Sequence, residues 1–362
     1  MRSAATWVMC RRVFPERAVA ESRPRVWVSQ PLFDDVIERL GEFFDVHATT
    51  QVSEYSASEI AEQLRQAQGA VITLNERIGA AEIADARHLR AIANVGVGYN
   101  NLDIPALSAA GILATNTPDV LTETTADFGF ALLMATARRI TEAERWLRAG
   151  QWQQWSFSSM LGSDLHGSTL GILGMGRIGQ GIARRGAGFG MRVLYHNRSR
   201  LPAEVEGQCQ ATYVDLDSLL GQSDHLLLVL PYSPEVHHLI DAGALSKMKS
   251  SATLVNIARG GIVDEVALAA ALAQGRLAAA GLDVYEGEPQ VRPELLALNN
   301  VVLTPHIASA SLATRRAMVT LAVDNLIAAL GEGPQAGRPA TPINADLIAA
   351  AAITGNTIAT KR

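Results

Sequence analysis

The amino-acid sequence predicts an α/β protein of two doubly wound parallel-sheet domains with a cleft between them. Strand-like and helix-like segments alternate over residues 25–115 and again over 169–330. A glycine-rich turn heads the second set, joining an apolar run to a helical pattern. Such alternation requires a parallel sheet with helices on its faces. The 362 residues are enough for two cores.

In the first set, residues 25–29 are apolar and β-branched, 34–44 have helical spacing, and 70–74, 90–97 and 112–115 read as strands. A long helix is predicted over 122–149, with Thr122, Thr124 and Thr125 as possible caps and Glu123 suited to the helix dipole. A loop with Trp152 and Trp155 follows. The second set has predicted strands at 169–174, 191–195, 225–230, 253–257, 279–284 and 301–304, then a helix at 312–330. Six strands in this order suit a Rossmann-like domain, and the preceding leader is large enough for its own sheet. The closing helix is placed to return the chain to that first sheet. The expected organisation is an extension at 1–24, a discontinuous substrate domain at 25–122 and 307–345, a dinucleotide-binding domain at 123–306 and a tail at 346–362. From about residue 331 the chain is rich in Gly, Pro and Ala and reads as loose.

A net charge of −5 makes neither nucleic acid nor an anionic membrane an expected partner. No apolar run is long enough to span a bilayer. Cys10 and Cys209 are the two cysteines, too few for a disulfide framework, so a reducing, cytoplasmic setting is expected. Residues 1–24 carry Arg2, Arg11, Arg12, Arg17 and Arg23 against Glu16 and Glu21. Their apolar stretch is too short and interrupted for a secretory signal, and a disordered extension is preferred to a transit peptide.

The turn is Gly174-Met175-Gly176-Arg177-Ile178-Gly179. In a strand–turn–helix context this pattern is a dinucleotide-binding fingerprint. The first glycine permits the turn, the second a close approach to pyrophosphate, and the third tight helix–strand packing. The helix N-terminus then offers unpaired N–H groups to the phosphates. The next strand ends in Asn197-Arg198-Ser199-Arg200, with neutral Asn197 where an acid would bind a ribose hydroxyl. Arg198 and Arg200 can pair with a 2′-phosphate and Ser199 can donate to it, so NADP(H) is expected over NAD(H), with NAD(H) possible.

Ligands of open α/β sheets bind beyond the carboxyl ends of the strands. Arg259, Glu288 and His306 each lie just past such an end. Hydride transfer to a carbonyl needs a proton donor for the nascent alkoxide, and histidine suits that role. A carboxylate on the far ring nitrogen favours imidazolium and fixes the ring. An arginine binds a substrate carboxylate and polarises a carbonyl oxygen. Together the three point to reduction of a 2-oxo acid, or the reverse. His237 and His238 are adjacent on a predicted helix and would point apart rather than toward one metal. His47, His88, His166, His196 and His225 show no ligand spacing, and no metal is expected.

Over residues 25–344 the chain resembles the D-isomer-specific 2-hydroxyacid dehydrogenases. The matching stretches are GMGRIG at 174–179, NIARGGIVDE at 256–265, AAGLDVYEGEP at 279–289 and PHIASAS at 305–311, in that order. VGVGYNNLD at 95–103, TPDVLTETTADF at 117–128 and the Asn-Arg-Ser-Arg turn resemble the glyoxylate/hydroxypyruvate and 2-ketogluconate reductases. The resemblance implies that Arg259 binds substrate, His306 is the acid/base and Glu288 its partner. It implies that the backbone at Val97 and Gly98 cradles the substrate carboxylate. It also implies cofactor contacts from Leu230 and Pro231 on the adenine side, from Ile257 and Ala258, and from Asp283 near the nicotinamide amide. A homodimer built by the 122–149 helix and the tryptophan arm is implied, with Trp155 the candidate to reach the neighbour's site. Ala308 stands where the family often has Gly, and Ser311 where it often has Thr. Glu288 argues against formate dehydrogenase, whose subgroup resembles a Gln–His pair. The short tail argues against a phosphoglycerate dehydrogenase with a regulatory domain. The reading is an NADPH-dependent reductase of small 2-oxo acids. A non-enzymatic, dinucleotide-sensing binding protein of the same superfamily is the alternative.

Overall fold

The computed structural model describes residues 23–353, so the expectation for residues 1–24 lies almost wholly outside the described residues. The first sheet comprises β1 (Arg25–Val28), β2 (Asp45–Ala48), β3 (Gly69–Ile72), β4 (Ala91–Asn94) and β5 (Leu113–Thr115). They pair in the order β2-β1-β3-β4-β5. Every pairing is parallel, with Val26 beside Val46 on one side and Gly69 on the other. The second sheet comprises β6 (Thr169–Leu173), β7 (Arg192–His196), β8 (Ala211–Tyr213), β9 (His225–Leu228), β10 (Thr253–Asn256), β11 (Ala279–Leu282) and β12 (Val301–Leu303). Its order is β12-β11-β10-β9-β6-β7-β8, again all parallel. The order reverses at β6, which is where a doubly wound sheet opens its ligand crevice.

Two helices cover opposite needs, one starting where the 122–149 pattern began and one matching the pattern at 312–330. The helix Thr122–Ala137 lays Ala126, Phe130 and Leu133 against Leu170, Ile172 and Val255 of the second sheet. The helix Leu312–Ala329 returns the chain to the first sheet, packing Met318, Val319, Ala322, Val323 and Leu326 with Val26, Val28 and Val71. Each large apolar side chain so buried contributes about 1.5–3 kcal/mol relative to exposure.

Four expectations are corrected. The single helix over 122–149 is two, Thr122–Ala137 and Ile140–Arg148, because Arg139 takes a left-handed backbone at φ 54°. Its guanidinium there pairs with Glu142 at 2.7 Å, starting the second helix. The stretch after residue 331 is not loose throughout. Buried Asn344 accepts the Ala114 N–H at 2.8 Å and donates to Ser108 Oγ and to the Ile112 carbonyl. Thr341 hydroxyl donates to the Asn116 carbonyl, and Pro342 bridges Thr115. The helix Ala345–Ile353 then starts one residue before the expected tail and runs into it. Strands β2 and β8 are additions. Both are edge strands whose outer residues face water, so they lack the apolar run that marks a buried parallel strand. Finally, Pro234–Val236 is a short 3-10 turn and His237 and His238 follow it outside any helix.

Candidate active site

The apolar β6 ends at Leu173 and the chain turns at once into the twelve-residue helix Arg177–Gly188. Gly174 makes this possible: its φ is +103°, and an added Cβ would lie 2.7 Å from the Leu230 nitrogen. The turn therefore packs directly on the chain leaving β9, with Val229 and Leu230 beside it. The Met175 N–H donates to Asn197 Oδ1 at 2.6 Å, which ties the loop to the end of β7 and leaves the Asn197 amide N–H groups as donors. A Cβ on Gly176 would meet nothing within 4 Å. An open face at a helix N-terminus fits a pyrophosphate. Arg177 reaches across to Asp119 in an ion pair of 2.9 Å, and Ile178 packs inward. Arg198 and Ser199 are exposed.

Arg200 is exposed as well and carries a contact of its own. Its guanidinium grips Glu206 through two hydrogen bonds of 2.8 Å, and the Tyr195 hydroxyl donates to the same carboxylate at 2.7 Å. Glu206 is nearly buried, so removing its counter-charge would strand it. The Arg200 and Tyr195 hydrogen bonds hold its carboxyl down to about 2. Burial, with the Glu206 bond, pushes the Tyr195 phenol up to about 12. Arg200 thus holds an ion pair with Glu206 while its side chain stays 64% exposed.

At the opposite side of the reversal, β10, β11 and β12 bring the predicted trio together. His306 Nδ1 and Glu288 Oε2 are 2.7 Å apart. Glu288 Oε1 accepts the Tyr285 N–H at 2.8 Å, which orients the carboxylate. Burial raises the Glu288 pKa, but the His306 hydrogen bond and charge, the Tyr285 N–H and the Arg259 charge outweigh it and lower it overall. With Nδ1 held, His306 Nε2 is the nitrogen left for a ligand. Arg259 lies close enough for its charge to act on Glu288, although burial works against that charge. Ile257 and Ala258, just before Arg259, are nearly buried, and the Ala258 carbonyl accepts from Arg259 Nη1 at 2.7 Å.

Two contacts were not legible in the sequence. Arg259 Nε donates to Asn100 Oδ1 at 2.9 Å, joining the second sheet to the loop after β4. On that loop an added Cβ at Gly98 would collide with Arg259 Nη2, so the guanidinium rests against bare backbone beside Val97. The second contact is Asp283, whose carboxylate accepts from Thr304 Oγ1 and from the Ile307 and Ala308 N–H groups. Asp283 is fully buried, and burial raises its pKa despite those donors. Ala308 thus serves as a backbone donor. Ser311 caps the Leu312–Ala329 helix by accepting the Thr314 N–H at 3.2 Å.

Trp155 is 74% exposed, with its ring edge against Phe157. Ile140, Leu147, Trp152, Phe157 and Leu161 are also exposed along this arm. His237 and His238 do not point apart. His238 has φ +52°, and the two rings stack with centroids 3.9 Å apart.

A dinucleotide loop beside a His–Glu pair and an arginine, all at strand ends of one sheet, defines a pyridine-nucleotide-dependent dehydrogenase. Comparison with known proteins makes this more particular. Residues 130–308 match the family described as D-isomer specific 2-hydroxyacid dehydrogenase, NAD binding domain. The glyoxylate reductase of Thermococcus onnurineus (strain NA1) is 46% identical over 310 residues, 84% of this chain and 92% of that protein. The glyoxylate/hydroxypyruvate reductase B of Klebsiella pneumoniae (strain 342) is 46% identical over 310 residues, covering 85% of this chain and 95% of that one. Among solved structures, the NADPH-dependent glyoxylate/hydroxypyruvate reductase of Sinorhizobium meliloti with NADP and malonate superposes with a TM-score of 0.78. It is 37% identical, over 89% of this chain and 97% of that chain. The chain belongs to the D-isomer-specific 2-hydroxyacid dehydrogenases, which are NAD(P)-dependent enzymes.

Proposed function

We propose that this protein reduces small 2-oxo acids such as glyoxylate, hydroxypyruvate and 2-keto sugar acids to D-2-hydroxy acids, with NADPH as the preferred donor. The observation that carries the reading is the 2.7 Å His306–Glu288 pair with Arg259 acting on the same carboxylate. A reduced nicotinamide supplies the hydride. Arg259 and the backbone at Val97 and Gly98 hold the substrate carboxylate, and Arg259 draws charge from the carbonyl oxygen. His306 gives its Nε2 proton to the nascent alkoxide while Glu288 steadies the imidazolium at Nδ1. Asp283 would meet the nicotinamide amide, and its carboxylate holds the His306 loop.

The donor preference rests on exposed Arg198 and Ser199 and on neutral Asn197. A homodimer formed through the apolar arm at residues 140–161 fits the exposure of its large side chains. A cytoplasmic setting fits a chain with two cysteines, and no described helix is long and apolar enough to cross a membrane. The non-enzymatic alternative is less favoured, because a bare dinucleotide sensor has no need of the His–Glu–Arg grouping. The test is loss of NADPH absorbance with a panel of 2-oxo acids. Turnover of glyoxylate or hydroxypyruvate with kcat/KM higher for NADPH than NADH is expected. Absence of turnover with every 2-oxo acid would overturn the reading.

A further inference from the structure

We infer that Asn116 and Asn94 are positioning residues for the substrate carboxylate, turning the backbone of the loop after β4 so that successive N–H groups are presented to it. This rests on the reading that the backbone at Val97 and Gly98 takes that carboxylate. Three consecutive carbonyls of the loop are pinned. The Gly96 carbonyl accepts the Thr117 N–H at 3.0 Å. The Val97 carbonyl accepts from Asn116 Nδ2 at 2.8 Å, and the Gly98 carbonyl from Asn94 Nδ2 at 3.0 Å. In a planar trans peptide the N–H points opposite to the carbonyl. The three bonds therefore fix the directions of the Val97, Gly98 and Tyr99 N–H groups. Because the first two carbonyls turn to adjacent residues, the Val97 and Gly98 N–H groups share one side. Among the described residues nothing accepts from any of the three. Such a run of N–H groups makes an anion-binding concavity, and Gly98 lies against the Arg259 guanidinium.

Both asparagines are themselves held. Asn94, at the end of β4, is fully buried, and its Oδ1 accepts from Asn101 Nδ2 at 3.1 Å. Asn101 Nδ2 also donates to the Thr73 and Glu76 carbonyls at 3.1 and 3.0 Å. Asn116 follows β5, and its carbonyl accepts the Thr341 hydroxyl at 2.6 Å while its N–H donates to the Thr341 carbonyl at 3.3 Å. The strap after the closing helix thus fixes the residue that aims the Gly98 N–H. Donors aimed in advance spare the ordering cost of binding. The substrate carboxylate keeps its charge while hydride is added to the neighbouring carbon. Its donors therefore act alike on the bound substrate and the transition state, so they govern KM rather than kcat.

Asn94 lies in the core, so half-buried Asn116 carries the test. Asn116→Ala removes the donor, and Asn116→Asp sets an oxygen against the Val97 carbonyl at nearly unchanged size. Both should raise KM for glyoxylate or hydroxypyruvate by about fivefold to thirtyfold, with kcat and the NADPH dissociation constant within about twofold. Oxamate, a carboxylate carrying an unreactive amide, gives a readout without turnover. Its affinity for the enzyme–NADPH complex, read from NADPH fluorescence, should fall by the same factor. Wild-type turnover with KM unmoved in both variants overturns the positioning role and leaves the function standing. Parallel falls in kcat, NADPH affinity and melting temperature overturn it too, by making Asn116 structural only. A wild type that turns over no 2-oxo acid, yet binds oxamate and loses it in both variants, overturns the function and upholds the positioning role. A wild type with neither turnover nor oxamate binding overturns both.

Discussion

Asp283 grips the backbone around His306: its carbonyl accepts the His306 N–H at 2.8 Å, and its carboxylate accepts the next two N–H groups at 2.9 Å each. His306 sits at φ +52°, a conformation costing about 1–3 kcal/mol for a non-glycine residue. The buried carboxylate holds that strain in place and so aims the imidazole at the cleft. His306→Ala should lower kcat by about a hundredfold to ten-thousandfold and leave NADPH affinity within a factor of about two. Asp283→Ala should lower kcat and thermal stability together. Fluorescence titration with NADPH beside steady-state kinetics separates the effects. Wild-type kcat in His306→Ala would remove its assigned role.

Arg259 should govern substrate use more than cofactor use. Arg259→Ala is expected to lower kcat/KM for 2-oxo acids by at least about a hundredfold. Asn100→Ala removes one hydrogen bond to a charged group and should raise KM by about threefold to tenfold at nearly constant kcat. Gly98→Ala should behave like the arginine loss, because its methyl group would displace Nη2. Unchanged KM in Asn100→Ala would mean that the contact does not position the guanidinium.

The two arginines after β7 should part company. Arg198→Ala is predicted to cut the NADPH-over-NADH preference by about tenfold or more, as expected for loss of a charge-assisted phosphate contact. Arg200→Ala should lower the melting temperature and change the preference much less. Both are read from kcat/KM ratios and thermal melts. The reverse ranking would restore Arg200 as the phosphate partner.

The strand ends that carry Arg259, Glu288 and His306 were legible because parallel strands deliver such residues to one edge. The Arg200–Glu206 pair was not legible, because Glu206 is nearly buried on the next helix and sequence spacing alone did not pair them. The break at Arg139 depends on one left-handed residue that no glycine marks. Asn100 and Asp283 were invisible as supports because their partners are distant in sequence or are backbone groups. The stacked histidines were missed because a three-residue 3-10 turn was read as helix.

Stability at the pH extremes should report on the Glu206 network. Its carboxyl falls from 4.5 to about 2 on folding, so its contribution is complete above pH 4.5 and fades as pH drops toward 2. Tyr195 rises from 10.0 to about 12, so its contribution is complete below pH 10 and fades toward 12. The melting-temperature gap between wild type and Glu206→Gln should be constant at pH 6–8 and shrink steadily below pH 4.5. A gap equal at pH 7 and pH 3 would contradict the assignment.

The exposed arm should be an assembly surface. Trp152→Ser combined with Trp155→Ser and Phe157→Ser is expected to convert a dimer to a folded monomer, measured by light scattering after gel filtration. If the wild type is already monomeric at micromolar concentration, the arm has another purpose.

The stitching of Asn344, Thr341 and Pro342 onto β5 and its neighbours has a consequence for biogenesis. The lobe containing the amino-terminal strands needs the Leu312–Ala329 helix and the strap after it to close its core. During synthesis the seven-stranded sheet, contiguous in the chain, is complete before that helix leaves the ribosome. The first-made sheet must wait, half-covered, for the last-made segment, and chains cut short before residue 312 will have a finished nucleotide lobe and an unfinished partner.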